Sequence, residues 1–292
     1  MFSPSPDIAI RLTACFVACA FASVTLAQTT RPGTLVVVAE PNNLPFSNDR
    51  QEGFENKLAD LIARDLNLHL EYHWRALRRG YWRESIKSGE ADLVIGVPRN
   101  LDMALTTGPY YRSTYVFVTR DANPISSLDD PKLKHLRIGV PLTGESNPPP
   151  SIALARRGII DNVTGFTVYG DYAQPDPASK LIAAVADGKI DLAVAWGPPA
   201  GYFAKRQNLT VKPVTPQVDN AMPMSFDISM GVAKKNKALR DQLDTILKNR
   251  RAEIERILDD YNIPRVAAPP KLERFNPDRE VKDKTEVPGC CD

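Results

Sequence analysis

Residues 34–66 read TLVVVAEPNNLPFSNDRQEGFENKLADLIARDL. Leu35 to Ala39 is a continuous apolar run rich in β-branched residues, the signature of a strand buried on both faces. Pro41, Asn42, Asn43, Pro45, Ser47, Asn48 and Gly53 then break the pattern and predict a long polar loop. Phe54, Leu58, Leu61, Ile62 and Leu66 recur at helical spacing with their apolar side chains on one face. A buried strand, a loop and an amphipathic helix open a parallel α/β unit. In open sheets of that kind ligands bind at the carboxyl ends of the strands, which places Glu40, Asn42, Asn43 and Phe46 on a cleft. Asn and Pro equally serve to build the turn itself, and position alone does not choose between these two roles.

Outward from this stretch, the chain keeps the same grammar. Leu68 to Trp74 alternates as a half-buried strand does, Gly80 to Lys87 is predicted as a short helix, and Asp92 to Gly96 as a buried strand. Thr106 to Arg112 (TTGPYYR) reads as a loop and Tyr115 to Thr119 as a strand. A second set follows. It comprises a strand at Leu136–Val140 with a loop carrying Thr143, a helix at Ile152–Arg157, a strand at Phe166–Tyr169, and a helix at Ala178–Ala186. A strand at Asp191–Ala195 completes it. SGEADLVIG (Ser88–Gly96) and DGKIDLAVA (Asp187–Ala195) echo each other: a glycine ends a helical segment and an aspartate opens a buried strand. The fold class is therefore α/β, with two similar lobes and a cleft between them. Lobe 1 is discontinuous (34–120 and 224–263) and lobe 2 spans 121–223. The two crossovers fall near Thr119–Pro124 and Met222–Val232 and act as a hinge. Leu239, Leu243, Ile246 and Leu247, then Ile254, Ile257, Leu258 and Tyr261, mark two late helices. Residues 264–292 lack apolar periodicity and read as an extended or disordered tail.

At the N-terminus Arg11 precedes an apolar, small-residue run to Leu26, and Thr25-Leu26-Ala27 suits signal peptidase. Residues 1–27 read as a secretory signal peptide, which implies a periplasmic location. Cys15 and Cys19 leave with it, and lipid anchoring at Cys19 is the minor alternative. No later run is long and apolar enough to span a bilayer, so no membrane insertion is expected. A formal net charge of +2 is too small to argue for nucleic acid, and Arg78, Arg79, Arg83 and Lys87 read as a solvated face. Cys290-Cys291 could bridge to each other or to another chain.

Catalytic patterns are missing: there is no Gly-rich phosphate loop, HExxH or GxSxG. His69 and His73 lie in a predicted strand, where a metal role is remote, and Asp92 and Asp191 open strands away from the cleft. Neither enzyme activity nor a cofactor is expected.

Five segments carry a resemblance: AEPNNLPFSN (39–48), GFEN (53–56), ADLVIGVP (91–98), TTGPYYRSTYVFVTR (106–120) and AWGPPAGYFA (195–204). The chain resembles type II periplasmic solute-binding proteins over nearly all of Thr34–Ile263. More narrowly, it is similar to the MxaJ/XoxJ-like proteins that accompany PQQ-dependent methanol dehydrogenases. The resemblance implies a periplasmic accessory that binds such a dehydrogenase, calcium- or lanthanide-dependent, or helps it mature. The alternative is a transporter receptor for a small organic ligand. Amino-acid receptors of the fold place an Arg shortly before the PY loop and an Asp after the third strand of the second lobe. Here those places hold Asn100, beside Arg99, and the run Ala195-Trp196-Gly197-Pro198, so α-amino acids are unsuited. Trp196, Tyr110, Tyr111 and Phe46 line an apolar, aromatic-accepting cleft or else pack the lobes together. Arg112, on the PYYR loop, joins them as a partner contact. The family also implies a pair of cysteines where Val38 and Ala91 stand, which points to a lost cross-strand bridge.

Overall fold

The structure is a computed structural model that describes residues 29–77, 80–120, 125–142, 147–168 and 176–267. The signal segment 1–27, Arg78, Arg79, Thr143 and the cysteines Cys290 and Cys291 lie outside the described residues.

The first half opens with β1 (Thr34–Ala39), a small hairpin of β2 (Asn42–Asn43) and β3 (Ser47–Asn48), and α1 (Phe54–Leu66). It continues with β4 (His69–Trp74), β5 (Leu93–Pro98), the short β6 (Leu105–Thr106) and the long β7 (Tyr111–Thr119). The second half comprises β8 (Ile138–Leu142), α2 (Pro149–Arg156), β9 (Val163–Thr167), α3 (Ser179–Ala186) and β10 (Leu192–Trp196). It ends with α4 (Gly197–Arg206), β11 (Thr210–Pro213) and the short β12 (Val218–Asp219) and β13 (Met222–Pro223). The chain then returns along β14 (Ser225–Val232) to α5 (Lys237–Asn249) and α6 (Arg251–Asp260), which pack on α1.

Main-chain pairing makes the internal repeat explicit. The sheet runs β4-β1-β5-β14-β7-β10-β8-β9. Each half is three parallel strands, β4-β1-β5 or β9-β8-β10, closed by one antiparallel strand, β14 or β7. The two closing strands pair with each other. Strand β7 joins the halves: Tyr111–Thr114 pairs with β14, whereas Tyr115–Thr119 pairs with β10 and, over Val116–Thr119, with β11. One strand thus serves both sheets without a turn between them.

Both parallel sheets are covered on both faces, as βαβ crossovers require. Leu35 and Val37 of β1 face α1, α5 and α6, while Val36 and Val38 face Tyr81, Ile86 and Ala91. In β10, Ala193 and Ala195 face α3 and α4, and Leu192 and Val194 face α2. Val38 and Ala91 sit in the same apolar cluster, which fills the place where the family resemblance implied a cysteine pair.

Two local expectations change. Residues 80–89 form consecutive turns, not a helix. Glycine at both ends and the need to bury Tyr81 and Ile86 under the sheet favour compact turns over a straight helical stripe. The strand after the tyrosine pair begins at Tyr111 itself, so Tyr111 and Arg112 are strand residues, recruited by pairing with Ile228 and Asp227. The first residues after α6 run beside β7: Pro264 O accepts from Ser113 Oγ at 2.6 Å, and Val266 N donates to Arg112 O at 3.1 Å.

Candidate functional site

The loop after β1 is built around the start of α1. Phe54 N and Glu55 N donate to Pro45 O and Phe46 O at 2.8 and 2.9 Å, and Gly53 N donates to Asn56 Oδ1 at 3.0 Å. The first free N–H groups of the helix, which would otherwise attract an anion, are consumed by the chain's own loop. A Cβ on Gly53 would stand 2.1 Å from Phe46 O, so only glycine allows this approach.

With the loop folded back in this way, Phe46 and Asn43 face the second half across a cavity of about 300 Å³. Trp196, Tyr115 and Phe226 form its aromatic wall. Tyr115 and Trp196 are register partners across β7 and β10, with ring centroids 5.3 Å apart, and Trp196 meets Phe226 edge-on at 5.9 Å. Leu181 and Ile182 of α3, Pro141, Pro98, Ile228 and the backbone of Gly96 complete the lining. Among the described residues that line it, none is charged, and Asn43 alone brings a side-chain amide.

The other expected site residues have internal duties. Glu40 is 6% exposed, and its Oε1 accepts from Leu77 N at 2.7 Å. Asn42 Oδ1 accepts from Asp176 N at 3.0 Å and so ties the loop to the second half. Tyr111 is buried in the first core and meets Phe54 edge-on at 6.2 Å, with Tyr110 half-buried against the same cluster. Arg112 bridges β7 to β14: its guanidinium lies 2.8 Å from Asp227 and 3.0 Å from Ser225 Oγ. Arg99, more exposed, stands 4.0 Å from the same carboxylate. Among the expected residues, then, Asn43, Phe46 and Trp196 share the cavity wall; Glu40, Tyr110, Tyr111, Arg99 and Arg112 do not.

Three features were not read from the sequence. Leu44 leaves its own half and packs with Val116, Val118, Leu181 and Phe203, a move no periodicity signals in a loop. The GPPAGYFAKR stretch is a helix, α4, whose Tyr202 ring stacks on Tyr261 of the first half at 5.7 Å. Glu55, at the start of α1, lies close against Gly96, whose backbone lines the cavity. Burial first, and the facing Glu40 carboxylate second, push its carboxyl up to about 8, so it is protonated at neutral pH. Strand alternation would have found Tyr115, which sits beside Trp196 once the two strands are paired.

Comparisons with known proteins come in three kinds. Residues 35–263 match the family model described as bacterial extracellular solute-binding proteins, family 3. Protein MoxJ of Methylorubrum extorquens is 31% identical over 253 residues, covering 80% of this chain and 81% of the relative. Protein MoxJ of Paracoccus denitrificans is 28% identical, covering 85% of this chain and 93% of the relative. Among solved structures, the periplasmic binding protein XoxJ from Methylobacterium extorquens superposes with a TM-score of 0.66 at 35% identity, covering 80% of this chain and 100% of that one. MxaJ from Methlophaga aminisulfidivorans gives 0.70 at 25% identity, with the same coverage. The two-lobed α/β architecture is that of a type II periplasmic binding protein, and the chain belongs to the bacterial extracellular solute-binding proteins of family 3.

Proposed function

We propose that this chain is a non-enzymatic periplasmic accessory of a PQQ-dependent methanol or alcohol dehydrogenase, which it binds or helps to mature. Its relatives bear the names MoxJ, XoxJ and MxaJ, and no described residue of the cavity wall is charged. The observation that carries the reading is Arg112. Its guanidinium is spent on Asp227 and Ser225, and no described residue of the cavity wall supplies a cation for a carboxylate. In this reading residues 1–27 are cleaved on export, 34–120 with 224–263 form one lobe, 121–223 the other, and the rims around Asn43, Phe46 and Trp196 meet the partner. Aromatic anchors ringed by apolar neighbours suit a protein contact.

One observation favours a second reading. A cavity of about 300 Å³ matches a small organic molecule, as a transporter receptor for a non-amino-acid ligand would require. A pull-down from periplasm with the mature protein separates the two. Recovery of a quinoprotein subunit supports the accessory, and recovery of a permease with no dehydrogenase supports the receptor.

A further inference from the structure

Among the described residues, α1, α2, α3 and α4 follow strands whose ends line the cavity, and each begins with donors already spent or missing. The opening N–H groups of α1 go to Pro45 O and Phe46 O. Helix α2 follows β8, whose Pro141 lines the cavity, and starts with Pro149-Pro150, which have no N–H to give. In α3, Ser179 N and Lys180 N donate to Asp176 O and Pro177 O. Helix α4 starts Gly197-Pro198-Pro199, again losing two donors of its first three. Helix N-termini are ready anion sites, and here proline or the chain's own carbonyls take up opening donors of each of the four.

The opposite charge is no better served. Glu55 lies against Gly96 of the wall, and desolvation raises its carboxyl to about 8. Asp227 is held by Arg112. A charge brought into this cavity would lose its hydration with no partner among the described residues of the wall. Rings fare differently: Tyr115, Trp196 and Phe226 stand as a connected edge-to-face series, opposite Phe46.

From these placements we infer that the cavity binds an uncharged aromatic ring carrying no carboxylate or ammonium, whether as a small molecule or as a side chain within a peptide. The inference deepens the accessory reading and rests on it only for the source of the ring. It excludes the dehydrogenase's own quinone cofactor, a tricarboxylate, as cavity ligand. Calorimetry on the mature protein with indole, N-acetyl-tryptophan amide, free tryptophan and PQQ tests it. The two neutral probes bind, and free tryptophan and PQQ bind at least roughly tenfold more weakly, the least that an unpaired charge imposes. Binding of both neutral probes points to a peptide source, and binding of indole alone to a small molecule. Ala178→Glu, which sets a carboxylate in the wall, abolishes neutral-probe binding with the melting temperature retained, and Trp196→Ala serves should that variant not fold. Failure of both neutral probes to bind overturns the inference, as does equal or tighter binding of free tryptophan or PQQ. The dehydrogenase pull-down is scored separately: ring binding without capture sinks the accessory reading alone, and capture without ring binding sinks this inference alone.

Discussion

Asp92 and Asp191 occupy the same place in the two halves and live in opposite surroundings. Each donates its own N–H to a carbonyl at the start of the neighbouring parallel strand, Val36 O or Arg137 O, at 2.8 Å. Each carboxylate also accepts from the N–H of that same residue at 2.9 Å. The bracket is the shared device that sets the register of β5 on β1 and of β10 on β8. Asp92, however, is 3% exposed, and burial raises its carboxyl above the usual range despite the bonds it accepts from Val36 N and Thr30 N. Asp191 lies at the surface, where the Arg137 guanidinium at 2.7–3.0 Å lowers it to about 2. A repeat can therefore keep a backbone function while electrostatics diverge, because the bracket needs only an acceptor and the environment decides the proton's affinity.

The comparison breaks most visibly at the buried member. Asp92→Ala strands the buried Val36 N–H at the edge of the core, and chemical denaturation should show a loss of about 2–4 kcal/mol. A loss below ~1 kcal/mol would mean that the bracket is not what holds β5 in register.

Glu55 sharpens the contrast on the alkaline side. Its folded-state value, about 8, is above its ordinary one, so its protonated form is favoured by folding and stability falls as pH rises from the ordinary carboxyl range through 8. The slope is at most about 1.4 kcal/mol per pH unit. Glu55→Gln should flatten melting temperature against pH in that window, with Asp92, also raised, contributing in the same direction. An unchanged slope in the variant would place the titration elsewhere.

Asp191 works with the opposite sign. Its lowered value gives stability that is complete above the usual Asp range and is lost as pH falls toward 2. Asp191→Asn should cost about 1 kcal/mol at neutral pH and make acid unfolding less steep. An acid limb identical to that of the parent would show that the Arg137 pair carries no pH dependence.

The smallest effect comes from making the surface aspartate resemble the buried one. Arg137→Leu removes the cation and leaves the backbone bracket. Stability should change by less than about 1 kcal/mol, as for exposed pairs, while carboxyl NMR shows Asp191 moving up toward the ordinary range. If its titration does not move, the backbone N–H and Arg120, not Arg137, set its affinity.

Legibility followed the range of the forces involved. The strands, α1, the late helices and the echoed aspartates were readable because periodicity and capping act within a few residues. Asn43 and Phe46 were placed on the cleft by the rule that strand ends line it, and Trp196 by the family resemblance. Gly80–Lys87 failed as a helix because burial of Tyr81 and Ile86 outweighed a short, glycine-bounded propensity. Tyr111 and Arg112 were read as loop residues because nothing local announces that β14 returns from residue 225 to pair with them.

From its own residues, then, the chain determined two α/β repeats, their order and an apolar aromatic character near the strand ends, since each depends on side-chain pattern along the backbone. Tertiary structure alone decided where charge is permitted. It brought Asp227 to Arg112, set Glu40 against Leu77 N, sent Leu44 into the opposite core and set Trp196 against Phe226. Those outcomes depend on desolvation and on partners distant in sequence, and both exist only once the halves have been brought together.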